Sequence, residues 1–367
     1  MTTRTDLHVV IVGASLVGLS SALALDRTGV QVTVLERSAA GLYEGGGGLG
    51  VDVELVQGVT GITSAPPVCH GPDRDTTAWH LLRDWLEHAT DARPSIELHH
   101  DATVTSVIDR GDRVEVASRE GQVWSGDAVI GADGVHSTVR RFMDPDHPEA
   151  SYAGFVLWRV MVPEAPLAEL TVLPAAHEPS REFYADRYRL VTYPVPGPDG
   201  NAHRGHRRLN IVWYDPARED LLRAHGLLDG AAVRGSLAAD ELPPSISSDL
   251  REIAEQTWPS PWSEALRMGF ERQLVFGTPV AEYLPRRLVA ERIAIAGDAA
   301  HAASPMVGGG FRQGIYDAGQ LAQSFASNAD VRTILSTYES ARLGPARQHA
   351  SRSQRASRDF FDRGLRN

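Results

Sequence analysis

Lysine is missing altogether: the 367 residues carry 36 basic side chains, and every one of them is arginine. Chemistry that needs an ε-amine is therefore excluded. Pyridoxal Schiff bases and Schiff-base aldolases require that amine to form the imine, and ordinary P-loop NTPases and protein kinases place a lysine on nucleotide phosphates. Cysteine is nearly absent as well. Cys69 stands alone, so neither a disulfide framework nor a cysteine-rich zinc site can be built, and no metal site is expected. A basic excess is also lacking. The net charge of -11 argues against a nucleic-acid partner. No apolar run approaches the roughly 18 residues of a membrane span, and the opening MTTRTDLH has no basic flank or long apolar stretch of a signal peptide. A cytoplasmic protein with no membrane partner is expected.

What is present begins with LHVVIV (7–12), a β-branched apolar run closed by Gly13. It predicts a buried strand entering a tight turn. LVGLSSALALDRTG (16–29) has helical spacing and a terminal glycine, and QVTVLER (31–37) alternates as a second strand. Together they predict a right-handed βαβ unit. Residues 41–61 are glycine-rich and read as loop, 76–89 as a helix, and 102–109, 113–118 and 122–134 as consecutive strands. From 151 to 276 the chain changes character, with four of the seven tryptophans and strand-like runs at 154–162, 188–195 and 209–214. A second, mostly β region facing the substrate is expected there. The strand RIAIAG (292–297) and a helix over 313–327 then resume the first region. Beyond Ala341 seven arginines stand against Asp359 and Asp362, a charge run that reads as a solvated terminal helix rather than an anion-binding tail.

Three motifs carry chemistry. Gly13-Ala14-Ser15-Leu16-Val17-Gly18 follows the first strand, where Gly13 makes the turn, Gly18 lets helix and strand pack closely, and the helix N-terminus receives a pyrophosphate. Ser15 occupies the usual middle glycine, small enough to leave the approach open. Glu36 ends the second strand, where a carboxylate accepts hydrogen bonds from an unphosphorylated ribose, as in FAD or NAD. Asp133-Gly134, followed by Ser137 and Arg140, and Gly297-Asp298-Ala-Ala-His301 each put an acid and a glycine at the carboxyl end of an apolar strand. Ligands of open α/β sheets bind at that edge.

In that order and at those separations, the motifs resemble the signatures of the single-component (group A) FAD-dependent aromatic hydroxylases. Runs such as YAGFVLWR (152–159), TYPVPG (192–197) and LNIVWY (209–214) are most similar to the 2,6-dihydroxypyridine 3-monooxygenase branch. The resemblance implies an α/β fold with an α+β substrate region: a Rossmann-like FAD-binding domain in two parts (1–150 and 277–330), an inserted β-rich substrate domain (151–276), and a C-terminal helical segment (331–367). It implies FAD as cofactor, NADH or NADPH as co-substrate, and hydroxylation of an aromatic or N-heteroaromatic small molecule by O2 through a flavin C4a-hydroperoxide. A monomer or homodimer is expected. The cofactor-binding set it implies is Gly13, Ser15, Leu16, Gly18, Glu36, Arg37, Arg83, Val104, Asp133, Asp298, Pro305, Gly308, Gly310 and Phe311. Asp298 would meet the ribityl and pyrophosphate portion, Pro305 would lie beside the isoalloxazine, and the backbone of 308–311 would face its N1 and O2 edge.

The chain departs from the family pattern at Ser15, at Gly309 and Arg312 where Gln and Asn are usual, and at Trp79, where the family has an arginine that contacts FAD. Arg83, one helical turn on, is the expected replacement, and with no lysine every cationic contact must come from arginine, Arg37, Arg83 and Arg140 first. Tyr184, Tyr193 and Trp213, with Pro305 and Met306 on the flavin side, are the candidate catalytic and pocket residues, since aromatic rings stack on such side chains. The competing role for each aromatic is core of the β region. Flavin halogenases share the fold but use a lysine and a WxWxIP run, both missing here. The rival functions are those of a desaturase, a reductase or a degenerate flavin-binding protein.

Overall fold

The computed structural model describes residues 7–39, 46–71, 74–170, 181–216 and 218–366. A six-stranded sheet runs in the order Val289–Ala290, Ile293–Ile295, Ala128–Gly131, His8–Val12, Gln31–Leu35, Ile96–His99. All neighbours are parallel except the two-residue edge strand. Such a sheet is covered on both faces, which is why its central strands read as unbroken apolar runs. The helix Leu16–Asp26 packs on it and lies against the helix Gly310–Phe325 so closely that a Cβ at Gly314 would sit 2.3 Å from Val17 Cγ2. The glycine there is a packing requirement. The 36-residue helix Val331–Arg366 closes the chain.

A seven-stranded antiparallel sheet forms the second layer. Ser151–Pro163 is its long central strand, paired with Arg208–Asp215 on one side and Phe276–Glu282 on the other, and Tyr188–Val195 and Arg181–Ala185 extend it outward. Because strand side chains alternate, its two faces differ completely. Val156, Trp158, Val160 and Val162 face a core closed by the helices Pro244–Thr257 and Trp262–Glu271, while Phe155, Leu157 and Arg159 face the other way.

The α/β fold class is as expected, and several elements differ from the sequence reading. The expected helix over 76–89 begins only at Trp79: Asp75–Ala78 is a strand paired with Gly48–Val51, because Thr76 and Thr77 are β-branched and have a partner strand to join. Within the expected loop 41–61, Val53–Thr60 is a helix capped by Asp52 and ended by Gly61 in the left-handed region, and 40–45 lie outside the described residues. The single strand expected over 122–134 is two, Val123–Gly126 in a three-stranded meander and Ala128–Gly131 in the parallel sheet. The mostly β region also carries the two covering helices. The terminal helix is half-buried rather than simply solvated, with Tyr338, Ala346, Ala350 and Ser353 inside.

Candidate cofactor and substrate site

The fingerprint turn is as tight as its glycines require. Gly13 has φ of +104°, and a Cβ there would lie 2.6 Å from the Ala132 carbonyl oxygen; a Cβ at Gly18 would lie 1.9 Å from the oxygen of Gly13. Ser15 takes the N-cap position of the helix Leu16–Asp26, yet its side chain makes no capping bond, so the first-turn N–H groups stay available for an anion. Glu36 sits at the end of the second strand and accepts from the Ala14 N–H at 2.8 Å and the Ser38 N–H at 2.9 Å. Its carboxylate is thereby fixed beside the turn with lone pairs to spare for ribose hydroxyls. Arg37 next to it is exposed. The Ala102 N–H bonds the Glu36 carbonyl, which brings Val104, buried two residues on, to the same end of the sheet.

A second glycine cradle lies across the sheet edge. Gly308 and Gly309 both have positive φ and lead into the helix Gly310–Phe325, whose N-terminus has no side-chain cap. A Cβ at Gly308, Gly309 or Gly310 would meet nothing nearer than 4.0 Å, so the donor end of a long helix opens onto free space. Asp298 borders that space, its Oδ1 4.0 Å from where a Gly310 Cβ would be. Pro305 and Met306 lie in the short 3-10 turn leading in, with Ser304 Oγ accepting from the Met306 N–H. Partly buried Phe311 packs on the parallel-sheet core. One tight glycine turn, a carboxylate at the end of the second strand and an open glycine-led helix N-terminus fit a dinucleotide such as FAD.

Several of the expected ligands are engaged within the protein itself. Asp133 caps the helix Thr138–Met143: its carboxylate accepts from Ser137 Oγ and from the N–H groups of Thr138 and Val139, while burial pushes its pKa up. Arg140 is fully buried, donates to the carbonyls of Pro148, Ala299 and Val135, and lies 4.3 Å over the Tyr283 ring, so it is not free to meet a carboxylate or phosphate. Arg83 is fully buried too. Its Nε donates to the Ala14 carbonyl and its Nη1 pairs with Glu87, so it braces the fingerprint turn from behind. One helical turn before it, Trp79 packs so close to Gly46 that a Cβ there would lie 2.8 Å from the Trp79 Cβ.

The inner face of the antiparallel sheet looks onto the glycine cradle, with Met306 packed on the apolar cluster of that face. Tyr193 belongs to it and is buried; its neighbours on the face are Val191, Val212, Tyr214, Arg159 and Asn210. Burial pushes the Tyr193 hydroxyl far up, so it is a proton donor and not a base at neutral pH. Tyr184 is on the edge strand, 65% exposed, bonded to Glu182. Trp213 corrects the expectation: one residue out of phase with Tyr214, it points to the opposite face, stacked edge-on with Tyr188 and Trp258 in the helix-covered core. Arg159, Asn210 and Tyr214 were not singled out from the sequence. The available signal was a polar side chain inside an otherwise apolar strand, in SYAGFVLWRVMVP and RLNIVWYD.

Comparisons with known proteins agree. An FAD binding domain model matches residues 6–54 and 273–353, and an FAD binding domain-like model matches 152–271. The chain is 29% identical over 368 residues to 2,6-dihydroxypyridine 3-monooxygenase of Paenarthrobacter nicotinovorans, covering 94% of this chain and 88% of that protein. It is 28% identical over 379 residues to kynurenine 3-monooxygenase of Salinispora arenicola, covering 91% and 76%. The solved structure of 2,6-dihydroxypyridine-3-hydroxylase from Arthrobacter nicotinovorans superposes with a TM-score of 0.79 at 25% identity over 98% of this chain and 93% of that one. Klebsiella pneumoniae HpxO, solved with FAD and uric acid, shares the fold at a TM-score of 0.74 and 22% identity, over 98% and 90%. With cradles, fold and family models in accord, the protein is an FAD-dependent monooxygenase, and its chain resembles those of the aromatic-hydroxylase type.

Proposed function

We propose that the protein is a single-component, NAD(P)H-consuming monooxygenase that hydroxylates an aromatic or N-heteroaromatic small molecule. The observation that carries the reading is the inner sheet face, where Val212 and Tyr214 pack with Met306 of the turn leading into the glycine cradle and Tyr193 and Val191 lie beside them. An aromatic ring is the ligand such a face suits. Relatives named as 2,6-dihydroxypyridine and kynurenine 3-monooxygenases support it. Gly13, Ser15, Leu16, Gly18 and Glu36 would hold the adenosine diphosphate half of FAD. Asp298, Pro305, Gly308, Gly310 and Phe311 would hold the flavin half, within residues 1–150 and 277–330, and 151–276 would supply the substrate portion. Bound FAD supplies reduction by a nicotinamide and activation of O2. The chain's own work is positional and electrostatic. The open N-terminus of the helix Gly310–Phe325 stabilises negative charge beside it, the apolar wall of Val191, Val212 and Met306 keeps water out, and Tyr193 donates a hydrogen bond.

The purified protein loaded with FAD is screened against hydroxylated aromatics and N-heterocycles for stimulated NADH or NADPH oxidation, under labelled O2. A product one labelled oxygen heavier is the expected result. Oxidation that yields only hydrogen peroxide across the panel overturns the hydroxylase reading.

A further inference from the structure

Two buried donors on the inner sheet face have no acceptor among the described residues. Asn210 is fully buried, and its Oδ1 accepts from the Gly48 N–H at 2.8 Å. That bond fixes the amide orientation, so Nδ2 is the free end, and it has no hydrogen-bond partner among the described residues. On the adjoining strand the Arg159 Nε is likewise buried without a partner, and no described residue makes a hydrogen bond or an ion pair with its guanidinium. The two side chains converge: a Cβ at Gly47 would lie 3.5 Å from Arg159 Cδ, 3.7 Å from its Nη1 and 3.6 Å from Asn210 Oδ1.

The surroundings do not neutralise the cation. Tyr193 and Tyr214 flank it, and burial pushes both hydroxyls up, so they stay protonated and uncharged. Asp298 feels the guanidinium but forms no ion pair with it. Arg159 is only half-buried, so its guanidinium is partly withdrawn from water without a partner, and the buried Nε and the Asn210 Nδ2 are donors left unmade, each at a cost. Both costs are relieved by one thing: an anionic acceptor entering from the open side, between the sheet face and the glycine cradle.

Resting on the hydroxylase reading and narrowing its substrate class, we propose that Arg159 and Asn210 together bind an anionic oxygen group carried by the substrate ring, a carboxylate or an ionised hydroxyl, and so select anionic aromatics over neutral ones. Arg159 is then a specificity residue of the site. Its planar fork reads two oxygens or one, which leaves the two ring chemistries to be separated by measurement.

Calorimetric titration of the FAD-loaded protein at pH 8 with benzoate against benzamide, and with 4-nitrophenolate against 4-nitroaniline, tests it. In at least one pair the anion should bind roughly 10- to 100-fold more tightly, the range of a charge-assisted contact. Preference within the benzoate pair assigns the carboxylate, and within the nitrophenolate pair the ionised hydroxyl. Arg159→Gln should reduce the preference to about twofold or less, Asn210→Leu should weaken it partially, and Arg159→Lys should keep it. Circular dichroism and flavin absorbance of each variant show that it is folded and loaded. No anion preference in either pair, or a preference undiminished in Arg159→Gln, overturns the proposal. So does an Arg159→Gln variant that loses FAD while keeping the preference, since the cation then serves the cofactor. Binding is read without turnover, so an anion preference in a protein that inserts no oxygen sinks the hydroxylase reading and leaves this one standing.

Discussion

Gly13 combines two requirements that usually occur apart. Its φ of +104° disfavours any side chain, and a Cβ there would lie 2.6 Å from the Ala132 carbonyl oxygen. Gly111 has only the first, with φ of +95° and open space around it. Gly111→Ala should therefore cost the backbone strain alone, about 1–3 kcal/mol. Gly13→Ala should cost more, because a backbone oxygen cannot move aside as a flexible side chain can, and it should also abolish FAD binding. Urea denaturation and flavin retention measure the two effects, and equal destabilisation with FAD retained would count against the cradle. The same scale explains the misplacement of Trp213. Trp213 and Tyr214 are adjacent aromatics of similar propensity, and strand alternation sends one to the core and the other to the site. Which is which depends on the sheet's orientation over the cradle, a fact absent from either residue. Arg140 and Asp133 are held within the protein for a related reason. Their types suit phosphate and ribose, but neighbouring backbone carbonyls and N–H groups reach them first.

At the scale of elements, the terminal helix Val331–Arg366 is tied to the cofactor half of the molecule by buried polar bonds. Arg342 Nε donates to Asp317 at 2.7 Å, the Tyr338 hydroxyl to the Ile295 carbonyl at 2.8 Å, and Ser353 and Ser357 to Glu282. Asp317 also holds the Gly297 N–H and the His301 ring at 2.6 Å, next to the Gly297-Asp298 turn. Burial alone would lower the His301 pKa, but Asp317 outweighs it and holds it up. His349 on the terminal helix, its ring 6.1 Å from that of His301, goes the other way. Burial first, then His301, Arg352 and Arg342, against Asp317, press its pKa down to about 4. The unfolded chain protonates this imidazole below about pH 6.5 and the folded chain resists until about pH 4. Stability should therefore fall across that window as pH drops, by about 1–3 kcal/mol from this group. His301 contributes oppositely, stabilising below its unfolded pKa and fading as pH rises through its raised folded value. Thermal denaturation of wild type and His349→Gln between pH 7 and pH 4 should show a shallower loss in the variant. Parallel curves would mean that His349 is not the acid-sensitive group.

For the whole molecule, the cofactor cradles join segments far apart in sequence: the fingerprint near Gly13, the strand end at Ala132, the turn at Gly297 and the helix start at Gly310. A ligand that spans them binds only the folded state. FAD at about 100 times its dissociation constant should add about 2.7 kcal/mol by mass action and raise the melting temperature by several degrees. Differential scanning calorimetry with and without FAD checks this, and an unchanged melting temperature would argue that the cradles do not assemble a site. Much of this architecture is legible in the chain itself. The buried parallel strands announce themselves as unbroken β-branched runs, because a strand covered on both faces needs no polar positions. The glycines of the fingerprint and the acids at the strand ends are set by local geometry and local dipoles, and the missing lysine excludes whole reaction classes by composition alone. Tertiary structure decided the rest. It split 122–134 between two sheets, turned Trp213 to the helix-covered face and Tyr214 to the face over the cradle, and spent Asp133 and Arg140 on nearby backbone. It also brought Arg159 and Asn210 together from strands about fifty residues apart. Those outcomes depend on which partner strand and which covering layer a segment meets, and burial and pairing are properties of the assembled fold rather than of any stretch of sequence.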